Sequence, residues 1–184
     1  MKNTALILVD FQNDYYDDFK GSRFPLKDFR EKTIKARKVL DAFRQKNIPI
    51  YHIKHENLSK NSKFFSYESM WTNFDSLLEP KKNEYIITKR YANSFRDTNL
   101  KELLNNQKID NLIIMWAMSH MCIDSTTRAA YDYWFHCTVL EDICATHDIE
   151  SCWQFIDHKK VHAAFMHALN FSFAEITTSE KILN

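Results

Sequence analysis

The chain has 184 residues and a formal net charge of +1, with 25 Lys and Arg dispersed among 24 Asp and Glu. This length predicts a single domain over residues 1–184 that buries a substantial core, and the balanced charge argues against the basic stripe of a nucleic-acid-binding protein. The single glycine, Gly21, excludes the glycine-rich phosphate loops of dinucleotide-binding and P-loop proteins, because each of those loops needs several glycines.

Six short runs of β-forming residues alternate with longer helix-forming stretches along the chain. We expect strands at residues 5–10, 49–54, 85–89, 112–116, 137–141 and 175–178, and helices at residues 29–46, 98–106, 120–135 and 152–169. Such alternation predicts an α/β fold in which a parallel sheet carries helices on both faces. The expected architecture is a Rossmann-like three-layer α/β/α sandwich with a six-stranded parallel sheet in the order 3-2-1-4-5-6.

The stretch at residues 57–78 is the least regular part of the sequence. It is rich in aromatic residues, namely Phe64, Phe65, Tyr67, Trp71 and Phe74. Three interpretations remain open for it: a lid, a contact in a dimer, or a loop folded onto the core.

Three chemically complementary side chains are expected at one edge of the predicted sheet. Asp10 ends the first predicted strand, Lys89 ends the third, and Cys122 follows the fourth. Open parallel sheets place their sites beyond the carboxyl ends of the strands, so the topology brings these side chains together. Taken singly, Asp10 suits a turn or a helix cap and Lys89 suits a solvated strand end. Their convergence favours a functional role.

Cys122 is the candidate nucleophile. We expect it in the first turn of the third predicted helix, with Ser119 as the N-cap, where the helix dipole and a neighbouring ammonium favour the thiolate. The Asp10 carboxylate would take the thiol proton and return it to a leaving amine, which suits acyl transfer through a thioester. The alternative is that Cys122 is a small buried hydrophobic residue, as many lone cysteines are.

Three segments carry a resemblance to a known family: Val-Asp-Phe-Gln-Asn-Asp-Tyr at 9–15, Lys-Arg-Tyr-Ala-Asn-Ser-Phe at 89–95, and Met-Ser-His-Met-Cys-Ile-Asp-Ser-Thr-Thr-Arg-Ala-Ala at 118–130. The segments at 141–146 and 161–165 fit as well, and the order and spacing hold over residues 5–178. With these motifs the chain resembles the isochorismatase-like cysteine hydrolases, a superfamily that includes nicotinamidases and N-carbamoyl amidohydrolases.

The resemblance implies a role for several residues. Cys122 would be the nucleophile, Asp10 the general base and Lys89 the cation that completes a catalytic triad. A cis peptide bond between Ala117 and Met118 would direct the backbone N–H groups of Met118 and Cys122 towards the substrate oxyanion. The substrate cavity would be lined by four further residues, Tyr15, Asn93, Phe95 and Met121.

The chain departs from the family pattern at two glycines and at a metal motif. Trp116 stands where the family usually has glycine, and Trp134 lies near a second such position, so the bulky side chains either fill space near the site or force the backbone to adjust. Nicotinamidases carry an Asp-x-His metal motif after the second strand. This chain has His52 and His55 there, and a strand directs such a pair to opposite faces. We therefore expect no bound metal and no cofactor, with both histidines serving as strand residues.

The sequence as a whole favours a cofactor-independent cysteine hydrolase that cleaves a C–N bond, amide or carbamoyl, of a small molecule. The alternatives are an isochorismatase-type vinyl-ether hydrolase, a catalytically inactive oligomeric binding protein and a thiol redox protein. The resemblance implies a homodimer or homotetramer, and we expect neither a nucleic-acid nor a membrane partner. The N-terminus has no signal-peptide pattern, so we expect a cytoplasmic protein with reduced thiols at Cys122, Cys137, Cys144 and Cys152.

Overall fold

The computed structural model describes residues 2–16, 19–59, 61–151 and 153–184. In chain order its strands are β1 (Thr4–Val9), β2 (Ile50–His55), β3 (Tyr85–Lys89), β4 (Asn111–Trp116), β5 (His136–Leu140), β6 (Ile149–Ser151), β7 (Gln154–Ile156) and β8 (Glu175–Thr177). β6 and β7 form a separate antiparallel hairpin, and the other strands form a six-stranded parallel sheet in the order β3-β2-β1-β4-β5-β8. Because β8 is the sixth strand of the prediction, the predicted fold class and strand order are confirmed.

The helices are α1 (Phe29–Gln45), α2 (Leu100–Asn106), α3 (Asp124–Asp132), α4 (His158–Ser172) and α5 (Ser179–Leu183). The prediction that the fourth helix begins at residue 152 is wrong, because β7 occupies part of that stretch. Helix α4 begins at His158, where the Asp157 side chain caps it by accepting a hydrogen bond from the Lys159 N–H at 2.8 Å. Cys152 itself lies outside the described residues. None of the helices in the described ranges is long and apolar enough to cross a membrane.

Strand β1 explains why the core has two halves. All of its residues are buried, as expected for a central parallel strand covered on both faces. Its alternate side chains enter different clusters: Ile7 and Val9 pack in the cluster that includes residues of α2, α3 and α4, whereas Leu6 and Leu8 pack with residues of α1 and α5. The three-layer arrangement follows from this alternation, since each face of the sheet needs its own helical cover.

A buried charge cluster fixes the edge of the sheet at β2 and β3. Glu84, just before β3, accepts hydrogen bonds from Arg44 Nε at 2.6 Å and Nη2 at 2.9 Å, and from His52 Nε2 at 2.8 Å. Burial opposes the ionisation of Glu84, but these hydrogen bonds hold its pKa well below the usual range. His52 is thus a structural strand residue, as the sequence predicted.

Trp116 and Trp134 adopt backbone conformations that favour glycine. Their φ angles are +103° and +71°, in the region where a Cβ atom is strained. The buried indole of Trp116 stacks on Phe11, with ring centroids 4.7 Å apart and planes 11° from parallel. Trp134, which follows α3, is 91% exposed. The chain therefore keeps the backbone geometry that glycine would adopt, and packing compensates the strain at Trp116 but not at Trp134.

This contrast predicts opposite effects for the same substitution at the two positions. Trp134→Gly is expected to stabilise the protein by about 0.5–1 kcal/mol, because it relieves a left-handed conformation and loses almost no burial. Trp116→Gly relieves similar strain but empties a packed site, and is expected to destabilise by about 2–4 kcal/mol. Urea unfolding of the two variants measures both values. A loss of stability in Trp134→Gly would contradict the interpretation.

Candidate active site

The three predicted catalytic side chains lie together at the carboxyl edge of the sheet. Asp10 directly follows β1, Lys89 is the last residue of β3, and Cys122 lies in the turn after β4. Lys89 Nζ is 2.9 Å from Asp10 Oδ2 and also donates a hydrogen bond to the Ala92 carbonyl at 3.0 Å. Asp10 and Lys89 are 0% and 1% exposed, so this is a fully buried ion pair beside a buried thiol.

The segment that carries Cys122 differs from the predicted start of a helix. Residues Ser119–Ile123 form a π-helical turn, in which Met118 O accepts a hydrogen bond from Ile123 N at 3.2 Å, and α3 begins after it. The prediction of Ser119 as the N-cap is wrong. The Ser119 hydroxyl instead bonds the Ala145 carbonyl at 3.2 Å and His162 Nδ1 at 2.8 Å, which ties the turn to the segment after β5 and to α4.

The ion pair sets the protonation of both its members. Burial opposes the charge on Asp10, but the Lys89 ammonium and the nearby His55 imidazole more than offset it, so the pKa of Asp10 lies below its ordinary value. Burial likewise opposes the charge on Lys89, yet the pKa of Lys89 is raised, because Asp10 and then Cys122 favour the ammonium. At neutral pH the pair therefore consists of a carboxylate and an ammonium.

The Cys122 thiol is protonated in this resting site. Burial raises its pKa to about 12, and the opposing effect of the Lys89 ammonium is too small to cancel that rise. The expectation that the helix dipole and Lys89 yield a resting thiolate is therefore wrong, because it left out desolvation of the charged form. The thiol proton has to leave as the sulfur attacks, rather than before.

The Asp10 carboxylate has unused hydrogen-bonding capacity. Oδ2 lies 2.9 Å from the Lys89 ammonium, but both Oδ2 and Oδ1 are buried and neither receives a well-formed hydrogen bond from a residue in the described ranges. A buried carboxylate oxygen without a donor is unfavourable. It is therefore a natural acceptor for an N–H group of a ligand that enters the site.

His55 belongs to the site and was missed by the sequence analysis. It is the last residue of β2, and its Nδ1 lies 3.7 Å from Asp10 Oδ2 and 4.0 Å from Cys122 Sγ. Gln12 fixes the backbone there, since its side-chain oxygen accepts from the His55 N–H at 2.7 Å and its nitrogen donates to the His55 carbonyl at 2.8 Å. The sequence carried the signal, because His55 is at a strand end on the edge that holds the other three residues.

Phe64 and Phe65, from the aromatic stretch at residues 57–78, pack against the His55 side of the site. Asp14 Oδ2 accepts a hydrogen bond from the Phe65 N–H at 2.6 Å, and the buried Phe65 ring stacks on the His55 imidazole at 5.3 Å between centroids. Of the three interpretations left open, the buried packing of Phe65 fits a loop folded onto the core. The ring of Tyr15 packs edge-on against Phe65 at 5.0 Å.

The four predicted substrate-binding residues occupy different environments. Tyr15 is buried next to the site, and burial, followed by the nearby Cys122 and Asp10, raises its pKa well above the ordinary value. Phe95 packs in the core, whereas Met121 is 43% exposed. The Asn93 side chain accepts a hydrogen bond from the Phe95 N–H at 2.9 Å, which shapes the loop after β3. A substrate contact stays a prediction for all four.

The backbone before Cys122 has the expected isomer. The peptide bond between Ala117 and Met118 is cis, which confirms that expectation from the resemblance. The assignment of the Met118 and Cys122 N–H groups to an oxyanion hole stays a prediction.

Within the described part of the chain, two groups of side chains bring possible metal-ligating atoms together. In the first, atoms of Asp10, His55 and Cys122 lie within 4.8 Å of one another, but the Lys89 ammonium already contacts the carboxylate and would repel a divalent cation. The second contains Asp148, Asp157 and His158, whose carboxylates bond the imidazole, Lys27 and the first turn of α4. We assign a metal to neither group.

Comparisons with known proteins agree on one family. The family model described as Isochorismatase domain matches residues 4–181. The uncharacterized isochorismatase family protein YddQ of Bacillus subtilis (strain 168) is 33% identical over 180 residues, which cover 98% of each protein. A solved structure from Oleispira antarctica is similar with a TM-score of 0.95 at 38% identity, covering 100% of this chain and 97% of that one.

Two more distant relatives have the names of amidases. Nicotinamidase 3 of Arabidopsis thaliana is 24% identical over 195 residues, covering 98% of this chain and 87% of that protein. The structure of N-carbamoylsarcosine amidase from Thermoplasma acidophilum gives a TM-score of 0.79 at 18% identity and covers 96% of each chain. At that identity the second likeness shows a shared fold.

Removing the Lys89 charge is expected to destabilise the protein, and the destabilisation is expected to decrease as the pH falls. In Lys89→Met the Asp10 carboxylate is left buried without its partner, and destabilisation by about 3–5 kcal/mol is expected at neutral pH. Burial, the largest influence on Asp10, then acts against His55 alone and raises its pKa, so acidification protonates the carboxyl and relieves the penalty. The gap in unfolding free energy between wild type and variant is therefore expected to narrow from pH 7 to pH 5, measured by urea unfolding.

The matched control is the double variant Asp10→Asn with Lys89→Met. It removes both charges, so it is expected to be more stable than Lys89→Met at pH 7 and to show no such narrowing. A gap that stays constant or widens on acidification would show that Asp10 is not the charge left unpaired.

Proposed function

Because the chain belongs to the isochorismatase family, we propose that it is a cofactor-independent cysteine hydrolase that cleaves a carbon–nitrogen bond, amide or carbamoyl, of a small molecule. The observation that carries the proposal is the buried Asp10–Lys89 ion pair next to the Cys122 thiol, with the atoms of Asp10, His55 and Cys122 within 4.8 Å. The nicotinamidase and the N-carbamoylsarcosine amidase among the relatives support hydrolysis of this type.

The proposed reaction proceeds through a thioester. Cys122 Sγ attacks the carbonyl carbon and loses its proton to a base, the role that the resemblance assigns to Asp10. The Lys89 ammonium contacts Asp10 and interacts with Sγ, so it stabilises negative charge at either position. The N–H groups of Met118 and Cys122 would hold the oxyanion. The base returns the proton to the amine nitrogen as the C–N bond breaks and the amine leaves, and water then gives its proton through the same base to the departing Cys122 sulfur as its oxygen attacks the thioester and releases the acid.

The hydrogen-bonding state of Asp10 favours an amide over a vinyl ether. Asp10 Oδ1 lacks a donor within the described part of the chain, and a primary amide or carbamoyl group supplies N–H donors that a vinyl ether does not have. Vinyl-ether cleavage needs an acid that protonates the alkene carbon, whereas the lowered pKa of Asp10 keeps it as a carboxylate. Both arguments support C–N hydrolysis.

The test of the proposed function is a variant without the nucleophile. Nicotinamide, N-carbamoyl amino acids and simple amides are screened for ammonia release, and Cys122→Ala is then assayed on the substrate found. Because the thioester cannot form, kcat is expected to fall by at least about 10³-fold. Cys137→Ala, which removes another buried cysteine, is expected to keep its activity. Intact-mass measurement of quenched wild-type enzyme is expected to show the acyl adduct.

Two outcomes would contradict the proposal. Turnover of the substrate by Cys122→Ala at the wild-type rate would show that the thiol is not the nucleophile. A Cys122 thiol that reacts with iodoacetamide no faster than Cys137 and Cys144 would favour an inactive binding protein. The homodimer or homotetramer and the cytoplasmic location stay predictions.

A further inference from the structure

The Tyr15 side chain is buried beside the site, yet its hydroxyl has no hydrogen-bond partner in the described parts of the chain. Only 2% of the residue is exposed. Burial, followed by Cys122 and Asp10, raises the pKa of the phenol, and no hydrogen bond contributes to that rise. Tyr16 differs, because its hydroxyl pairs with Thr33 Oγ1 at 3.1 Å. A buried hydroxyl without a partner is unfavourable, so a ligand atom that pairs with the Tyr15 hydroxyl would be favoured.

A continuous line of contacts leads from the Tyr15 ring to the Cys122 sulfur. The Tyr15 ring packs edge-on against Phe65 with centroids 5.0 Å apart, and Phe65 stacks on the His55 imidazole at 5.3 Å. His55 Nδ1 is in turn 4.0 Å from Cys122 Sγ. The influence of Cys122 and Asp10 on the phenol agrees with this placement. The hydroxyl therefore lies within electrostatic reach of the sulfur that attacks the substrate in the proposed reaction.

The position of Tyr15 is fixed by its own backbone and by its packing partner. Its N–H donates to the Gln12 carbonyl at 3.2 Å, and its carbonyl accepts from the Leu26 N–H at 2.9 Å. Phe65 is fixed as well, because its N–H donates to Asp14 Oδ2 at 2.6 Å. A side chain restrained in this way is preorganised, so its hydroxyl loses little further conformational freedom when it binds a ligand atom.

The Tyr15 hydroxyl and the Asp10 carboxylate have complementary hydrogen-bonding roles. Burial and the two neighbouring groups keep the phenol of Tyr15 protonated at neutral pH, so it retains an O–H donor. Asp10 is an acceptor whose buried oxygens lack a well-formed hydrogen bond in the described ranges. A ligand can therefore place N–H groups at Asp10 and an acceptor atom at Tyr15.

We propose that the Tyr15 hydroxyl is a specificity-determining donor, which binds a neutral acceptor atom of the substrate outside the amide or carbamoyl group that is cleaved. This role rests on the proposed function, since it assumes that Cys122 attacks such a group, and it names the substrate class. In the proposed reaction the N–H groups of Met118 and Cys122 hold the carbonyl oxygen, so the phenol needs a different acceptor. The substrate is then a small amide with a hydroxyl oxygen, ring nitrogen or second carbonyl oxygen close to the reacting carbonyl.

The electrostatics of the site explain why the acceptor is neutral. A carboxylate bound to Tyr15 would add a second buried anion near Asp10, whose charge is already balanced by the Lys89 ammonium at 2.9 Å. Selection comes from desolvation. An amide without the acceptor would still exclude water from the hydroxyl and leave this donor unpaired, so the penalty falls on the wrong substrate.

The test compares isosteric amides that differ in one acceptor atom. Nicotinamide, picolinamide and isonicotinamide have a ring nitrogen at three positions, and benzamide has none; 2-hydroxypropanamide is likewise compared with 2-methylpropanamide. Each compound is assayed for ammonia release and for protection of Cys122 against iodoacetamide, which measures binding even without hydrolysis. In wild type, at least one amide with the acceptor is expected to exceed its isostere by about 10-fold or more in kcat/KM or affinity.

Tyr15→Phe removes the hydroxyl and keeps the ring that packs on Phe65. The advantage of the acceptor is expected to shrink to less than about 3-fold in this variant, because the donor is lost. The matched control is Tyr51→Phe. Tyr51 also has a buried hydroxyl without a partner in the described ranges, but it lies in β2 and stacks on Tyr85. Tyr51→Phe is expected to keep the wild-type advantage.

Three outcomes would overturn the proposed role of Tyr15. In the first, the compared amides behave alike in wild type, a result that needs no variant to fold. In the second, Tyr15→Phe keeps the advantage of the acceptor. In the third, Tyr15→Phe lowers kcat equally for amides with and without the acceptor, which would make the hydroxyl a donor to the carbonyl oxygen. Failure of the proposed function is a separate result, namely hydrolysis that persists in Cys122→Ala whatever Tyr15→Phe does.

Discussion

The buried ion pair of Asp10 and Lys89 is the interaction on which the site depends. Both charges are buried away from water. Either charge buried alone would strongly destabilise the protein. Each member therefore holds the other in its ionised form, and together they set the electrostatic environment of Cys122 Sγ. The pair also links the fold to the site, because its members follow β1 and end β3, and the assembled sheet is what brings these strand ends together.

Strand order explains why four reactive groups form one row. The sheet runs β3-β2-β1-β4 on this side, so Lys89, His55, Asp10 and the turn that carries Cys122 follow one another along its carboxyl edge. His55 and Lys89 are register partners on neighbouring strands. The imidazole thus comes from the strand between the two members of the ion pair. In the resting site burial favours the protonated Cys122 thiol, and in the proposed reaction a neighbouring group accepts that proton when the sulfur attacks a carbonyl carbon.

Sequence patterns were sufficient to predict the fold, because apolar runs without alternation indicate buried parallel strands. They also predicted that Asp10, Lys89 and Cys122 lie close together, because all three follow or end strands at the carboxyl edge of the sheet. Other features depend on three-dimensional burial. The protonated Cys122 thiol follows from desolvation, which a motif does not report. His55 was set aside because it was considered as half of a metal chelate with His52. The β6–β7 hairpin, with strands of three residues each, has too little hydrophobic pattern to compete with a helix prediction.

Asp10 is an anion held by Lys89, and the carboxyl carbon of Asp10 reports its ionisation directly. Its ¹³C chemical shift is followed by NMR as the folded protein is acidified from neutral pH, with Asp10→Asn used to assign the signal. The predicted result is a signal that stays at the carboxylate position through the ordinary aspartate range, about 3.9. A signal that moves to the protonated position at or above that range would contradict the account, because the pair would then not be ionised in the resting site.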